Sequence, residues 1–335
     1  MSDYVLPPDL VPAEIEWRLI DAVAVYSSPL NGAVRTYARP GNRWGARLTF
    51  RALSGADRRR LMALVSILRG RANRLWVTDA SSDAGGTLAT PELITNNAAV
   101  AGTTGWSSSN AELALSADTH QGLRLTRTGV TGDRYAYQAA ATTVSGAPYA
   151  LRFLLAAGKG ALRLSGCAGT SQGGTGLVNG TARTAGGRYV ETFTASGSST
   201  HLSFHDFTSG RSAGGFQFLT WASCSRCALV AGGSQTGSTL QIDGLPASTT
   251  GLARAGDLIE VNGELKRLVA DIDSDGSGGA LAMFEPSLRT APADNLPMIL
   301  RAPMGRFLLE EEASGWGSRP GVLSDFTLNL VEDVT

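Results

Sequence analysis

Residues 43–77 read RWGARLTFRALSGADRRRLMALVSILRGRANRLWV, Arg43 to Val77, and the spacing of their apolar side chains changes once, in the middle. Trp44, Ala46, Leu48 and Phe50 recur at every second position, the period of a strand with one buried face. After Ser54, a good N-cap, Leu61, Leu64, Val65 and Leu68 recur at three- and four-residue intervals, and Gly70 follows as a stop. The stretch therefore predicts a strand, a helix over about 54–69, and a return strand at Arg74–Thr78. Arg58, Arg59 and Arg60 fall on the solvated face of that helix. Upstream, Glu14–Ile20 alternates polar and apolar residues, and Asn31-Gly32 marks a turn.

Outward from this block the texture changes. From about residue 90 charge thins out and Ser, Thr, Gly and Ala crowd between short alternating runs, such as 122–127, 149–155, 160–165, 188–194 and 201–205. Short strands between turn residues, with no helical period, predict a β-sandwich from 90 to 235. Near Thr236 a third texture begins. Asn262-Gly263 between two apolar runs is a strong hairpin signal, Val269–Ile272 and Ala280–Pro286 predict a further pair, and 305–310 and 326–332 predict closing strands. The fold class is mainly β.

Composition narrows function by exclusion. The chain of 335 residues holds 29 basic and 29 acidic side chains, so it offers no basic footprint for nucleic acid or anionic membrane. No apolar run approaches the about 20 residues of a membrane helix. The N-terminus lacks the pattern of a secretory leader, so the chain is expected to be made in the cytoplasm and not exported by that route.

The residues that carry chemistry are few. Asp271, Asp273 and Asp275 before Gly276 begin like an EF-hand loop, but the twelfth position is Ala282 where a bidentate Glu is required, and the flanks read as strands. The segment is read as an acidic hairpin turn with its carboxylates in water. Cys224 and Cys227 lie three apart in an expected strand, on opposite faces, so they cannot share a metal. With Cys167 they are read as free thiols. The three histidines, His120, His201 and His205, all lie in the sandwich region. His205 and Asp206 are neighbours on a strand and point apart, so they form no base–orienter pair. No nucleophile-elbow, zincin or P-loop pattern is present. No enzyme activity, cofactor or metal is expected.

Two resemblances add to this reading. The Arg43–Val77 stretch, with GDLIEVNGELKRLVADIDSDG, FEPSLRTAPADN and the closing SDFTLNLVEDV, resembles distal-tail-type tail-tip proteins of long-tailed bacteriophages over residues 10–80 and 236–335. The middle, from ELITNN through Gly105-Trp106, Gly122–Thr126 and Val144–Phe153, resembles the jelly roll of carbohydrate-binding modules. Together they imply a discontinuous β-barrel or sandwich tail-ring domain, 1–88 plus 236–335, interrupted by an inserted sandwich, 89–235. The first resemblance implies a virion protein that self-associates as a ring, often of six copies in that family (a hexamer), between tail-tube protein and tail-hub protein. The second implies contact with host surface glycan through an aromatic platform, for which Tyr135, Tyr137, Tyr189, Phe207 and Trp221 are the candidates, whereas Trp106 reads as core. That family often holds a structural calcium between a carboxylate near the first strand, here Glu92, and an Asp on the last. The last strand here, 221–230, carries Ser and Arg instead. The competing class is a free-standing carbohydrate-binding or receptor-binding adhesin.

Overall fold

The computed structural model describes residues 3–6, 10–38, 41–79, 88, 92–99, 102–118, 121–129, 133–159, 162–207, 213–311 and 324–334. Among these the chain is mainly β, with a single α-helix. His120 and most of the stretch from 80 to 91, where the first boundary of the inserted region was expected, lie outside the described residues.

The opening stretch folds as its periods require. Strand Arg43–Leu53 buries Trp44, Ala46, Leu48 and Phe50, and helix Gly55–Leu68 lays Leu61, Leu64, Val65 and Leu68 in the same buried cluster. Ser54 Oγ accepts from the Asp57 amide at 3.1 Å, capping the first turn. The strand sits in a six-stranded sheet ordered Asp3–Val5, Arg74–Thr78, Met304–Leu309, Ser324–Glu332, Arg43–Leu53, Glu14–Ile20. Sequence ends that lie far apart are thus neighbours in one sheet. Strands Val23–Ser27 and Val34–Ala38 pair only with each other and stand off this sheet as a separate hairpin.

The third texture closes into a small barrel. Strand Gly237–Asp243 pairs with Ala280–Leu288, which pairs with Glu264–Leu268, then Leu258–Val261, then Pro297–Ile299. Both ends of this series pair with the C-terminal half of strand Phe216–Val230, completing a ring of six strands. Leu240, Ile259, Phe284 and Met298 fill it. Asn262 and Gly263 turn the central hairpin with φ of 52° and 74°, as a type I′ turn needs. One expectation fails here. The strand ends at Leu268, and 269–272 run as a loop with one bridge, Ile272 to Ala253, because the Asp side chains that follow bind backbone amides instead of extending a ladder.

Between these lies a two-sheet sandwich. Val178–Asn179, Leu164–Gly169, Ser199–Asp206, Arg134–Tyr137 and Ser107–Ser108 form one sheet. Facing it are Gly187–Thr194, Pro148–Lys159, the N-terminal half of Phe216–Val230, Gly122–Arg127 and Leu113–Asp118. Leu151, Phe153, Leu202, Phe204 and Trp106 share the core between them. At one end Arg127 of the second sheet meets Asp206 of the first at 2.5 Å, both side chains fully buried. The chain turns at 231–236, where the second boundary was expected, but strand Phe216–Val230 runs from sandwich sheet into barrel wall without a break.

Candidate functional site

The two outer faces of the sandwich have opposite surroundings. On the second sheet the side chains that alternate with the core, Ala150, Arg152 and Leu154, turn toward the rest of the molecule. Leu154 and Trp221 pack with Val5, Trp76 and Met304 in one buried cluster. Arg152 donates to the Ala302 carbonyl at 2.9 Å, the Arg301 carbonyl at 3.1 Å and Ser223 Oγ at 2.6 Å. Burial lowers the pKa of this guanidinium, against the raising pull of Glu260 and Glu92. Alongside, Arg188 pairs with Glu260, whose other oxygen accepts the Met304 amide at 3.0 Å. This face is a junction.

The first sheet faces away from that junction and carries an aromatic row. In its central strands Leu202 and Phe204 point inward, so Ser203, His205 and the following Phe207 alternate to the outside. Register sets Tyr135 beside His205 and Tyr137 beside Ser203. The Tyr135 and His205 rings stack at 4.6 Å and 21°, His205 and Phe207 at 4.8 Å and 22°, and Tyr137 tilts against Tyr135 at 5.7 Å. Rings stacked face to face turn their edges outward, so the free apolar face of the row belongs to its terminal ring, Phe207, which is 45% exposed. Loop 170–177 folds back over the other end. Gly173 has φ of +70°, and a Cβ there would lie 2.4 Å from Tyr135 Cζ, so only glycine brings the loop this close to the ring.

Of the five aromatic candidates the structure brings together Tyr135, Tyr137 and Phe207. Tyr189 lies elsewhere, its ring against Phe153 and under the Arg183 guanidinium, its hydroxyl donating to the Ala185 carbonyl at 2.9 Å. Trp221 must be corrected: it is 4% exposed, sealed at the junction with Arg152 over its ring, and offers no face to a sugar. His205 joins the row as a ring, a role its sequence neighbourhood did not suggest. The available signal was the pair of i, i+2 aromatic spacings, Tyr135 with Tyr137 and His205 with Phe207.

The site's polar chemistry is limited. His205 Nε2 lies 2.9 Å from Ser203 Oγ, a spacing that suits a base and a nucleophile. Ser203 is fully covered, and burial drives the His205 pKa down to about 4, so the imidazole is neutral and a weak base. The pair serves as a buried hydrogen bond. Asp206 points to the opposite face, into the core.

The calcium position of the resembled jelly roll has other occupants. Glu92 does reach the last strand, but its carboxylate accepts Ser223 Oγ and the Cys224 amide, each at 2.6 Å. The Arg152 guanidinium bonded to the same Ser223 Oγ brings positive charge beside it. One carboxylate next to a fixed cation does not fit an ion that takes six to eight oxygens. The acidic loop is likewise committed, and its carboxylates do more than stand in water: Asp271 Oδ1 accepts the Ala255 amide at 2.8 Å and Asp273 Oδ1 the Gly251 amide at 2.7 Å. Asp275 Oδ1 accepts from Ser277 and Gly279, bonds that lower its pKa. Cys224 sits in the sandwich core and Cys227 in a separate cluster with Ala150 and Ile299, on opposite sides of their strand.

No protein-family model and no curated protein matches the chain. Among solved structures it is similar to the enzymatically active domain of tailspike protein 4 of bacteriophage CBA120, with 10% identity and a TM-score of 0.30, covering 40% of this chain and 21% of that one. It is also similar to the adhesin domain of Epf from Streptococcus pyogenes, with 12% identity, a TM-score of 0.27 and coverage of 63% and 79%. A third is the Endo-D glycoside hydrolase domain of Streptococcus pneumoniae R6, with 13% identity, a TM-score of 0.25 and coverage of 67% and 36%. At these scores the likenesses carry no argument about fold or activity. Among the described residues, no helix is long and apolar enough to cross a membrane.

Proposed function

We propose that this chain is a structural component of a bacteriophage tail tip, in which a tail-ring part, residues 1–88 with 236–335, self-associates between tail tube and hub. In this reading residues 89–235 form an inserted sandwich that faces host surface glycan. The observation that carries it is the contrast between the sandwich's two outer faces. One is locked to the body by Arg152, Arg188 and Trp221, and the other turns the Tyr135–His205–Phe207 row away from it. A fixed, outward aromatic face suits a module that meets a large ligand at the rim of an assembly. Phe207 supplies the ring face on which sugar C–H groups stack.

The test is a glycan array probed with the fluorescently labelled full chain at high surface density, beside the Phe207→Ala variant. Binding that falls about tenfold in the variant supports the glycan role. Equal signals, or none, remove it and leave the structural role to stand alone. The same outward row favours a second reading, a free-standing adhesin, because it needs no ring to act. Co-sedimentation with tail-tube protein separates the two, since an adhesin stays in the supernatant.

A further inference from the structure

The exposed apolar side chains of the described residues gather in two places. Six of the fourteen large ones, Val23, Val25, Tyr26, Leu30, Val34 and Tyr37, lie on the hairpin that follows the sheet's edge strand. Register puts Val25 opposite Thr36 and Ala24 opposite Tyr37, so apolar groups stand on both of its faces. None belongs to a buried cluster among the described residues, and a lone two-stranded hairpin is marginal in water. The second gathering is on the barrel wall. Phe284 and Ala282 point into the barrel, which turns Leu281 and Met283 outward, and the Val269 amide donates to the Met283 carbonyl at 2.9 Å, setting Val269 beside them. The remaining five, Val11, Ile67, Val144, Phe207 and Val334, stand one to an element.

The charges beside the two patches are opposite. Arg35 is the only charged residue from 23 to 38. On the barrel Glu285 continues the outward row of Leu281 and Met283, across the ladder from Arg267, whose guanidinium is drawn over the Trp44 ring, and Asp271 follows Val269 by two residues; both carboxylates are exposed. We propose that these surfaces are the two halves of one head-to-tail interface, in which the hairpin of one copy docks on the Val269–Leu281–Met283 wall of the next. Two different patches on each copy make the contact heterologous, the kind that generates a ring when its rotation closes. Arg35 shares its face of the hairpin with Tyr26 and Tyr37, so docking covers these rings against the barrel patch while Arg35 against Glu285 fixes register and sets salt dependence. The inference rests on the self-association proposed above and names the surfaces that perform it.

The test uses two full-length variants, Tyr26→Ser with Tyr37→Ser on the hairpin and Leu281→Asp with Met283→Lys on the barrel, measured by mass photometry. All four positions are outside the buried clusters, and circular dichroism checks that both variants fold. The wild type is expected to assemble, and each variant alone to need at least about tenfold higher concentration. An equal mixture of the two is expected to stop at a dimer, because only one intact junction can form between them. A wild type that assembles together with a hairpin variant that assembles equally well overturns this interface and leaves self-association standing. A barrel variant that dimerises alone means hairpin pairs with hairpin, which also overturns it. A wild type that stays monomeric removes self-association itself.

Discussion

Replacing Arg152 by methionine removes a junction cation that ties strand Phe216–Val230 to the chain at 301–302. The guanidinium is fully buried and donates to the carbonyls of Arg301 and Ala302 and to Ser223 Oγ, while Glu92 accepts from that same hydroxyl. Methionine matches the length of the stem and supplies no donor. Two carbonyls and a hydroxyl lose a partner, and Glu92 loses the cation that stands beside it across Ser223 Oγ. Leaving a buried acceptor unsatisfied costs about 1–3 kcal/mol, so these three together should cost about 3–5 kcal/mol. With a guanidinium-chloride slope of about 4 kcal/mol per molar, the unfolding midpoint falls by about 1 M. The assay is chemical unfolding followed by tryptophan fluorescence, which reports directly because Trp221 and Trp76 lie in the junction cluster. Adding Glu92→Gln removes the stranded charge, and at least about 1 kcal/mol should return as coupling between the two sites. A loss below about 1 kcal/mol, or a double variant as unstable as the sum of the singles, refutes the claim that Arg152 and Glu92 act together at this junction.

Three further outcomes follow from the site. His205 is held at about 4 against an ordinary 6.5, so between these values the unfolded chain binds a proton that the folded chain refuses. Stability is complete above about pH 6.5, falls by up to about 3 kcal/mol as the pH drops toward 4, and levels off below; thermal melts in His205→Gln should lose that part of the slope. Gly173→Ala places a Cβ against Tyr135 and demands a left-handed conformation of alanine, which should cost about 1 kcal/mol or more, with part recovered in Gly173→Ala/Tyr135→Ser, read by urea unfolding. Because Glu92, Asp271, Asp273 and Asp275 are already engaged by protein donors, EDTA should leave the melting temperature unchanged, and a drop of several degrees reversed by calcium would contradict that assignment.

Much of the fold is legible in local spacing. Period two across Trp44 to Phe50, the three-to-four spacing from Leu61 to Leu68 and the Asn262-Gly263 turn each fix an element without help from distant residues. The junction is not legible that way. Trp221 and Arg152 alternate to the outer face of a sandwich sheet, and by periodicity an outer face looks solvated; only the packing of that sheet on Val5, Trp76 and Met304 buries them. The long strand Phe216–Val230 belongs to two cores, so its alternation serves the sandwich first and the barrel afterwards, and no turn residue marks the change. The acidic loop's carboxylates are exposed as expected, but their amide partners are hidden from the sequence for a related reason. Asp271, Asp273 and Asp275 look free in sequence because the amides they accept from include those of Gly251 and Ala255, far back along the chain. The aromatic row was half visible. Tyr135, Tyr137 and Phe207 carry strand spacing, whereas His205 shows its part only once register sets it beside Tyr135.

Electron microscopy of the purified full-length chain with tail-tube protein tests the central proposal most directly. The account predicts closed rings seated on the end of the tube, with the sandwich projecting outward at the rim and the Tyr135–Phe207 face pointing away from the axis. Single copies that neither close into rings nor bind the tube, at concentrations where tube protein assembles, would contradict it.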